Sequence, residues 1–344
     1  MWLQILNYFL TFQTVLNKFG LKSSLPLVSV ALCTYNGAKY LSEQIRSILS
    51  QTYPNIEIVI VDDNSSDNTR EVLKEFNNES NIRFYFNNSN IGFVKNFEKA
   101  ISLCQGEYIA LSDQDDIWKK DKIDLLVSKF DKNILVYANS EIIDKSGNSL
   151  NKKLSSIRNF VNGSDPIPFI FHNCIPGHTM MFHKRLVNYI LPFPPKLKFH
   201  DWWIAFVAAS VGRILYVDEC LVMYRQHEAT NTDILKARKI KVREIDKSLK
   251  LEKITKDIIE KIAVFRDFKH LKPKDKEVLT LMAEGYQLRI GAYFSPKLFS
   301  LLFKYRNDIY YIPKYSSVKK LLYVVKESWG TKTKKLFYKV KELF

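Results

Sequence analysis

Short apolar, β-prone runs alternate with helical segments of about ten residues in the first part of the chain. Apolar residues recur at helical spacing in these segments, as Leu41, Ile45 and Ile48 show for the first one. Strands joined in this way form parallel sheets with right-handed crossovers. We therefore predict an α/β fold with a mostly parallel central sheet flanked by helices. Its first strands are residues 27–33, 56–61, 82–86 and 108–111.

Polar side chains follow three of these strands at the point where each strand ends. Because ligands bind beyond the carboxyl ends of the strands in such sheets, we expect these side chains to meet at one edge. Their convergence indicates a functional site rather than unrelated solvated loops. The clusters are Thr34, Tyr35 and Asn36 after the first strand, Asp62 and Asp63 after the second, and Asp113, Gln114 and Asp115 after the fourth.

The last cluster brings three carboxylates, Asp113, Asp115 and Asp116, within four residues. Like charges this close repel one another unless a cation or abundant solvent offsets them. Carboxylate oxygens suit a hard divalent ion, so we predict Mg²⁺ or Mn²⁺ at this strand end. The alternative is an acidic turn that begins a helix. In that alternative Asp115 or Asp116 caps the helix that follows, and in the metal interpretation we expect Asp116 to be only a helix cap.

Two phosphate-binding patterns are absent from the sequence. It has neither G-x-G-x-x-G nor G-x-x-x-x-G-K-[ST], which disfavours a dinucleotide oxidoreductase and a P-loop NTPase. The four cysteines, Cys33, Cys104, Cys174 and Cys220, include no close pair. That spacing argues against a zinc site or a disulfide framework and is typical of a reducing compartment.

The second part of the chain has a less regular pattern. Turn residues separate short apolar runs there, so strands and one apolar helix are expected. The predicted elements are a hairpin within 135–150, a strand after a turn at Gly177, a helix over 202–211 with Asp201 near its N-cap, and short strands at 213–217 and 220–224.

Charge is distributed unevenly along the chain. The net charge is +16, and the excess of Lys and Arg lies beyond Lys236. This excess indicates a polyanionic partner, and its combination with apolar residues at helical spacing favours an anionic membrane surface. No apolar run reaches the ~20 residues of a spanning helix. The predicted regions are an amphipathic N-terminal segment (1–25), a compact domain (26–231, with halves 26–130 and 131–231) and a basic helical region (232–344).

Residues 26–231 resemble a glycosyltransferase of family 2 with the GT-A fold. The D-x-D element of Asp113 and Asp115 is weak on its own, but the set of motifs in this order is specific. The residues around Asp115 and at Asp201 are most similar to those of the rhamnosyltransferase-like branch. The motifs are Cys33-Thr34-Tyr35-Asn36, Val61-Asp62-Asp63-Asn64-Ser65-Ser66-Asp67-Asn68-Thr69, Asn90-Ile91-Gly92 with Asn96, Ser112-Asp113-Gln114-Asp115-Asp116, Gly177-His178-Thr179 and His200-Asp201-Trp202-Trp203.

This resemblance implies that the donor is a nucleotide-diphosphate sugar and that a metal stabilises the departing diphosphate. Asp115 would bind the metal directly, and Asp113 would be a second ligand or contact the ribose. His227 would be a further ligand, with a structural histidine as the alternative. The nucleoside pocket would consist of Thr34, Tyr35, Asn36, Asp62 and Asp63. A turn that enters the next helix is the alternative for the last two.

The resemblance assigns the general base to Asp201, which would take the proton of the acceptor hydroxyl as it attacks with inversion. The alternative for Asp201 is a helix N-cap. Trp202 and Trp203 are candidates for stacking on a sugar, and we expect one of them in the core. His178 is at most a wall of the acceptor pocket.

The leading hypothesis is an inverting, metal-dependent transferase of dTDP-rhamnose or a UDP-sugar. Its acceptor would be a glycan, lipid-linked, in bacterial cell-surface polysaccharide synthesis at the cytoplasmic face of the membrane. A sugar-phosphate nucleotidyltransferase is an alternative, since it also joins such a sheet to paired carboxylates. A nucleic-acid-binding protein is a third hypothesis suggested by the charge. The sequence lacks a recognisable RNA-binding motif, so no nucleic-acid partner is expected.

Overall fold

The structure is a computed structural model that describes residues 25–228, 247–334 and 336. The predicted amphipathic segment 1–25 lies outside the described residues, apart from Leu25. In the basic region 232–344, the described part begins at Lys247.

A single sheet of nine strands organises the described part of the chain. Its first strands are apolar and buried on both faces, as the continuous burial of β1 shows. The strands are β1 (Val28–Thr34), β2 (Ile56–Asp62), β3 (Ile82–Phe86), β4 (Tyr108–Ser112), β5 (Ile117–Trp118), β6 (Leu135–Ile143), β7 (Ser149–Lys153), β8 (Met180–His183) and β9 (Ile214–Arg225).

The strands lie in the order β3-β2-β1-β4-β8-β6-β9-β5, and β7 pairs with β6. The strands β3, β2, β1 and β4 are parallel, with Val28 of β1 opposite Ile56 and Tyr108. Beyond β4 the sheet is mixed, because β8 runs antiparallel to both β4 and β6, and β9 runs parallel to β6. The carboxyl ends of β1, β2 and β4 therefore share one edge, as the sequence predicts.

Helices flank the sheet and continue into the basic region. Among the described helices, none is both long enough and apolar enough to cross a bilayer. The helices are α1 (Leu41–Leu49), α2 (Thr69–Lys74), α3 (Phe93–Leu103), α4 (Lys122–Val127), α5 (Leu154–Ile157), α6 (Val187–Ile190), α7 (His200–Val211), α8 (Lys247–Arg266), α9 (Pro273–Leu288), α10 (Pro296–Lys304), α11 (Arg306–Ile309) and α12 (Ser317–Ser328).

Two hydrophobic clusters cover the two faces of the sheet. Alternate residues of β1 point to opposite faces, so Leu32 packs in one cluster with α1 while Ala31 belongs to the other. The second cluster also contains residues of α7 and of the basic helices, and the rings of Phe206 and Phe265 lie 4.2 Å apart. The described part of the basic region thus packs on the α/β unit.

The α/β class and the helical C-terminal region are confirmed, but two local predictions are wrong. Residues 117–118 form the short strand β5 and pair with β9, where a helix was expected to begin. The two short strands predicted at 213–217 and 220–224 are one strand, β9. Its pairing with β6 shifts register near Asn139, so an irregularity within one strand produces the interrupted pattern in the sequence.

Candidate active site

Gln114, the middle residue of the carboxylate run, ties the loop after β4 to the loop after β1. Its Oε1 accepts hydrogen bonds from Thr34 Oγ1 (2.7 Å) and from the Tyr35 N–H (2.8 Å), and its Nε2 donates to the Tyr35 carbonyl oxygen (3.2 Å). A Cβ at Gly37 would clash with the Gln114 side chain, so glycine permits this close approach. Each bond contributes about 1 kcal/mol, which fixes the two loops against each other.

The loop after β2 joins the same arrangement. Asn36 has a left-handed φ of 50°, which asparagine tolerates, and its Oδ1 accepts the Ser66 N–H at 2.8 Å. Its own N–H donates to Ser65 Oγ at 2.9 Å. The buried carboxylate of Asp62 accepts hydrogen bonds from the Ser65 N–H and hydroxyl and pairs with Arg70 Nε at 3.3 Å. Asp62 therefore shapes the loop that follows it.

Asp63 is 2% exposed and holds the loop before α3. Its Oδ1 accepts hydrogen bonds from Asn87 Nδ2 (2.8 Å) and the Ile91 N–H (2.9 Å), and its Oδ2 accepts the Gly92 N–H (2.9 Å). Gly92 has a φ of 82°, where a side chain would be strained. The structure thus shows a positioning role for Asp63, and its contact with a nucleoside stays a prediction.

Tyr35 and Asn36 face solvent at this edge, whereas Thr34 is buried. The Tyr35 side chain is 47% exposed while its backbone is fixed by Gln114. An exposed ring on a fixed backbone is suited to stacking on a planar ligand.

Three of the site's side chains form a group that can hold a metal ion. Asp113, Asp116 and His178 each offer one ligand atom, and these atoms lie within 4.8 Å of one another. His178 Nδ1 lies 3.6 Å from a carboxylate oxygen of each aspartate. The Asp113 side chain is 43% exposed and that of Asp116 is fully buried, so Asp113 is the member that a ligand can reach.

The prediction that Asp116 caps a helix is wrong. The next helix, α4, begins at Lys122, and Asp121 occupies its N-cap position. Asp116 Oδ1 instead accepts the Arg225 N–H at 3.0 Å, and its Oδ2 is buried without a hydrogen-bond partner among the described residues. Burial raises the pKa of Asp116 well above its usual range, and the charges of Asp115 and Asp113 add to this effect.

Asp115 and His227 meet at the same edge, although 112 positions separate them in the chain. The distance between Asp115 Oδ2 and His227 Nε2 is 2.8 Å, and both side chains are mostly buried. The His227 ring also packs against Tyr40, with ring centroids 5.0 Å apart. The strand β9 ends at Arg225 and so delivers His227 to the end of β4.

Arg225 is buried and engaged by the protein. Its Nε donates to the Asp115 carbonyl oxygen at 2.8 Å, and its Nη2 pairs with Glu43 at 2.6 Å. The guanidinium also lies over the Tyr40 ring, 4.6 Å from its centroid. Arg225 thus supports the backbone of the carboxylate run.

Lys122 is a buried cation that the sequence did not single out. Its Nζ donates to the His178 carbonyl oxygen at 2.7 Å and lies 3.2 Å from the Trp118 ring centroid. Burial lowers the pKa of Lys122 well below its usual range, while the charges of Asp116 and Asp113 oppose that shift. An exposed helix position is the ordinary expectation for lysine, so only the three-dimensional structure places Lys122 and His178 beside the carboxylates.

Asp201 lies in the first turn of α7, whose N-cap position is Phe199 rather than Asp201. Its Oδ2 accepts a hydrogen bond from Asn173 Nδ2 at 3.1 Å, and its Oδ1 accepts the Trp202 N–H at 2.7 Å. Burial raises the pKa of Asp201 to about 7 against the effect of the backbone hydrogen bonds, and the charge of Asp113 adds to the rise. A carboxylate with this pKa is suited to accept a proton near neutral pH.

The two tryptophans after Asp201 have different environments. Trp203 is 4% exposed and lies in the core, where its Nε1 donates to the Ile190 carbonyl oxygen at 3.0 Å. Trp202 is partly exposed and its Nε1 donates to the Phe169 carbonyl oxygen at 2.5 Å. The expectation that one of them belongs to the core is confirmed for Trp203.

The donor set of this edge fits a hard divalent cation. Two carboxylates, Asp113 and Asp115, come from one strand end, and an imidazole lies near each. The buried Oδ2 of Asp116 has no hydrogen-bond partner among the described residues and is a further oxygen that a cation can bind. The metal roles of Asp113, Asp115 and His227 therefore stay predictions that this chemistry supports.

Comparison with known proteins identifies the family. The profile described as "Glycosyl transferase family 2" matches residues 29–189. The chain is also 33% identical over 180 residues to the Escherichia coli protein named UDP-Glc:alpha-D-GlcNAc-diphosphoundecaprenol beta-1,3-glucosyltransferase WfgD, covering 51% of this chain and 68% of that one. The chain belongs to glycosyltransferase family 2.

Other family members align over a similar region. An uncharacterized glycosyltransferase of Rickettsia typhi is 33% identical over 214 residues, which cover 60% of this chain and 66% of that protein, just under two thirds. A mannosyltransferase structure from Pyrobaculum calidifontis, in complex with GDP-Man and Mn²⁺, superposes with a TM-score of 0.51 and 18% identity, covering 88% of this chain and 80% of that one. This likeness confirms the predicted GT-A fold.

Family membership separates the three hypotheses of the sequence analysis. It makes the protein a glycosyltransferase and argues against the nucleotidyltransferase and nucleic-acid-binding alternatives. The donor sugar and the acceptor are matters for the proposal below.

Proposed function

We propose that the protein is an inverting, metal-dependent glycosyltransferase. It transfers a sugar from a nucleotide-diphosphate donor, dTDP-rhamnose or a UDP-sugar, to a hydroxyl of a glycan acceptor. The acceptor is lipid-linked, and the reaction contributes to bacterial cell-surface polysaccharide synthesis. The name of the Escherichia coli relative, which specifies a diphosphoundecaprenol acceptor, supports this acceptor class.

One observation supports the proposal: Asp201 and Leu111 of β4, two positions before Asp113, lie next to the same residue, Gly177. A Cβ at Gly177 would lie 3.8 Å from Asp201 Cβ, 3.8 Å from Leu111 Cδ1 of β4 and 3.4 Å from His200 Nε2. A base on one side and diphosphate-binding carboxylates on the other are the arrangement that in-line displacement requires.

In this proposal, Asp201 accepts the proton of the acceptor hydroxyl. The hydroxyl oxygen forms a bond to the anomeric carbon as the bond from that carbon to the diphosphate breaks, which inverts the configuration. Asn173 orients the Asp201 carboxylate through its hydrogen bond. Asp113, Asp115 and His227 would hold a Mg²⁺ or Mn²⁺ ion, which would act as a Lewis acid and stabilise the charge of the diphosphate.

The nucleoside would bind at the ends of β1 and β2. Tyr35 offers an exposed ring, and Gln114 fixes the backbone beside it. Thr34, Asn36, Asp62 and Asp63 complete this pocket, chiefly by holding its three loops together.

The proposal places the enzyme at the cytoplasmic face of the membrane, bound peripherally to anionic lipid. Helix α12 supports this placement because it exposes apolar side chains beside lysines. Val318 is 70% exposed, Leu322 is 62% exposed and Leu321 is 41% exposed. The neighbouring Lys319 and Lys320 can contact lipid headgroups, each contributing about 1 kcal/mol.

The test is a screen of UDP- and dTDP-sugars for hydrolysis and transfer, with Mn²⁺, with Mg²⁺ and with a chelator. We expect one donor to be consumed only when metal is present. Asp115→Asn should reduce turnover by about 10²–10³-fold, because the carboxylate that holds the diphosphate-stabilising metal is lost. Asp121→Asn, an exposed position in the same segment, is the matched control.

Turnover of a donor in the presence of chelator, or full activity of Asp115→Asn, would contradict the metal assignment. Formation of a nucleotide sugar from a nucleoside triphosphate and a sugar phosphate would instead identify a nucleotidyltransferase.

A further inference from the structure

A groove lies between α8 and the segment that precedes α7. Its first section is a cavity of about 90 Å³ beside Trp202, with Phe199 and Val264 among its apolar walls. Its second section, of about 800 Å³, is lined by apolar side chains that include Leu191 and Phe268. The two sections share Lys196, Glu260 and Val264 and so form one continuous groove.

The groove starts next to the candidate base. Trp202 follows Asp201 directly in α7, and its indole is fixed by the hydrogen bond to the Phe169 carbonyl oxygen. The residues that bind the donor in the proposal above do not line either section. Phe199 and Trp202, on either side of Asp201 in the chain, line the first section, so the groove lies beside the segment that carries Asp201 and apart from the proposed donor site.

Two lysines of the first section, Lys198 and Lys261, form no ion pair among the described residues, although Asp257 and Glu260 also line this section. Lys196 pairs with Glu260 at 3.4 Å, but among the described residues no carboxylate lies within ion-pair distance of Lys198 or Lys261. Lys261 Nζ instead lies 3.3 Å from the Trp202 ring centroid. Burial lowers the pKa of Lys261 to about 7, and the charge of Lys198 adds to this effect. An anion bound between these two lysines would offset both the burial of the Lys261 charge and its repulsion by Lys198.

The second section differs in character. Leu191, Pro194 and Val264 are partly buried, and Trp203 and Phe268 form buried parts of its wall. Such a surface gains about 25 cal/mol for each Å² of apolar area removed from water, so a hydrocarbon chain is a suitable occupant. The groove thus presents the aromatic face of Trp202, two lysines without an ion pair among the described residues, and a mainly apolar channel with Asp267 and Lys269 on its wall.

We propose that this groove binds the carrier of the acceptor, a polyisoprenoid diphosphate, with its phosphates at Lys198 and Lys261 and its chain in the second section. The inference rests on the proposed function, because it takes the acceptor sugar to lie at Asp201. It adds the place where the carrier binds and the residues that recognise it.

The test compares two acceptors with the same sugar, one on a polyisoprenoid diphosphate and one on a neutral alkyl chain. The Lys198→Gln/Lys261→Gln variant should raise KM about 10-fold for the diphosphate acceptor, because charge-assisted hydrogen bonds are lost. KM for the neutral acceptor and the rate of donor hydrolysis should change less than about 2-fold, since no charged contact is removed there. Lys253→Gln/Lys256→Gln, on the exposed side of α8, is the matched control.

A second variant tests the apolar channel. Wild-type enzyme should prefer a long isoprenoid chain over a short one, and Val264→Gln should remove that preference without changing donor hydrolysis. The proposal is supported if the lysine variant raises KM more for the diphosphate acceptor than for the neutral acceptor and if this chain-length effect is seen. An equal loss for both acceptors, or binding of a soluble sugar diphosphate as tight as that of the lipid acceptor, would overturn it.

Donor hydrolysis keeps the two levels of inference distinguishable. If the wild-type enzyme consumes no nucleotide sugar, the proposed function fails. If it consumes one and both groove variants behave as wild type with the lipid acceptor, only the groove inference fails.

Discussion

The proposed nucleoside loops of the donor edge and the proposed acceptor side differ in how their polar groups are paired. At the donor edge, the loops after β1, β2 and β4 bond to one another through Gln114, Asn36 and Asp63. On the acceptor side, both ring nitrogens of His200 are buried without a partner, and Lys261 has no ion pair among the described residues. The donor edge is organised before substrate binds, whereas the acceptor side keeps polar groups that a substrate can satisfy.

This difference separates two ways of building a site. Preorganised loops hold a nucleotide in one geometry, so a change there should weaken donor binding. On the acceptor side, burial of groups with shifted pKa values lowers the stability of the folded protein. Replacing such a group should therefore alter the chemistry and leave the fold intact.

Replacement of the acceptor-side base should have the largest effect. Asp201→Asn should lower the rate of transfer about 10³-fold, because the general base is lost. Metal-dependent donor binding, measured by thermal shift, should remain. The melting temperature at pH 8 should not fall, since the raised pKa of Asp201 shows that its ionised form is disfavoured in the folded protein.

Transfer that stays at the wild-type rate in Asp201→Asn would remove the base from the acceptor side. A simultaneous loss of donor binding would show that the two regions do not act separately.

Loosening the donor edge should have the next largest effect. Gln114→Ala removes three hydrogen bonds between the loops, and we expect the KM for the donor to rise about 10-fold with a smaller change in kcat. Steady-state kinetics with varied donor measure this, with Gln105→Ala at an exposed position as the control. A fall in kcat with unchanged KM would contradict a preorganising role for Gln114.

The pH profile should report the acceptor side alone. Asp201 must be ionised to accept a proton, and its pKa is raised to about 7. The rate of transfer should therefore fall as the pH decreases below about 7 and reach a plateau above it. The affinity for the donor should change little over the same range. An acidic limb near the ordinary aspartate pKa would show that Asp201 is not the titrating group.

The smallest effect is expected at α12, the proposed membrane contact. Val318→Asp/Leu322→Asp should weaken binding to anionic vesicles several-fold, because two exposed apolar contacts and net positive charge are lost. Vesicle sedimentation measures this, and Leu288→Asp at an exposed position of α9 is the control. Equal binding by all three proteins would argue against α12 as the membrane contact.

The sequence predicts the donor edge well because that edge follows local rules. Apolar strands that end in polar residues locate Thr34, Asp62 and Asp113, and parallel pairing brings them to one edge. The sequence does not predict the strand β5, because its two residues pair only with β9, which is distant in the chain. A strand that forms only by pairing with a distant segment leaves no signal in its own stretch of sequence.

Asp116 and Lys122 illustrate what the sequence leaves open. An aspartate after an acidic run has the composition of a helix cap, yet its backbone position next to Arg225 makes it a buried hydrogen-bond acceptor. Lysine on a short helix is ordinarily solvated, yet Lys122 turns inward to the His178 carbonyl oxygen. Burial decides both cases, and burial depends on the assembled fold. His227 was predicted as a further metal ligand, with a structural histidine as the alternative. The structure places it 2.8 Å from Asp115, and its metal role stays a prediction.

The anomeric configuration of the product tests the central claim most directly, because the proposed roles of Asp201 and the carboxylate edge require displacement from the face opposite the diphosphate. NMR of the glycan formed by the wild-type enzyme with its donor and Mn²⁺ gives this configuration. We expect a product inverted relative to the donor. A product that retains the donor configuration would contradict the roles assigned to Asp201 and to the carboxylate edge.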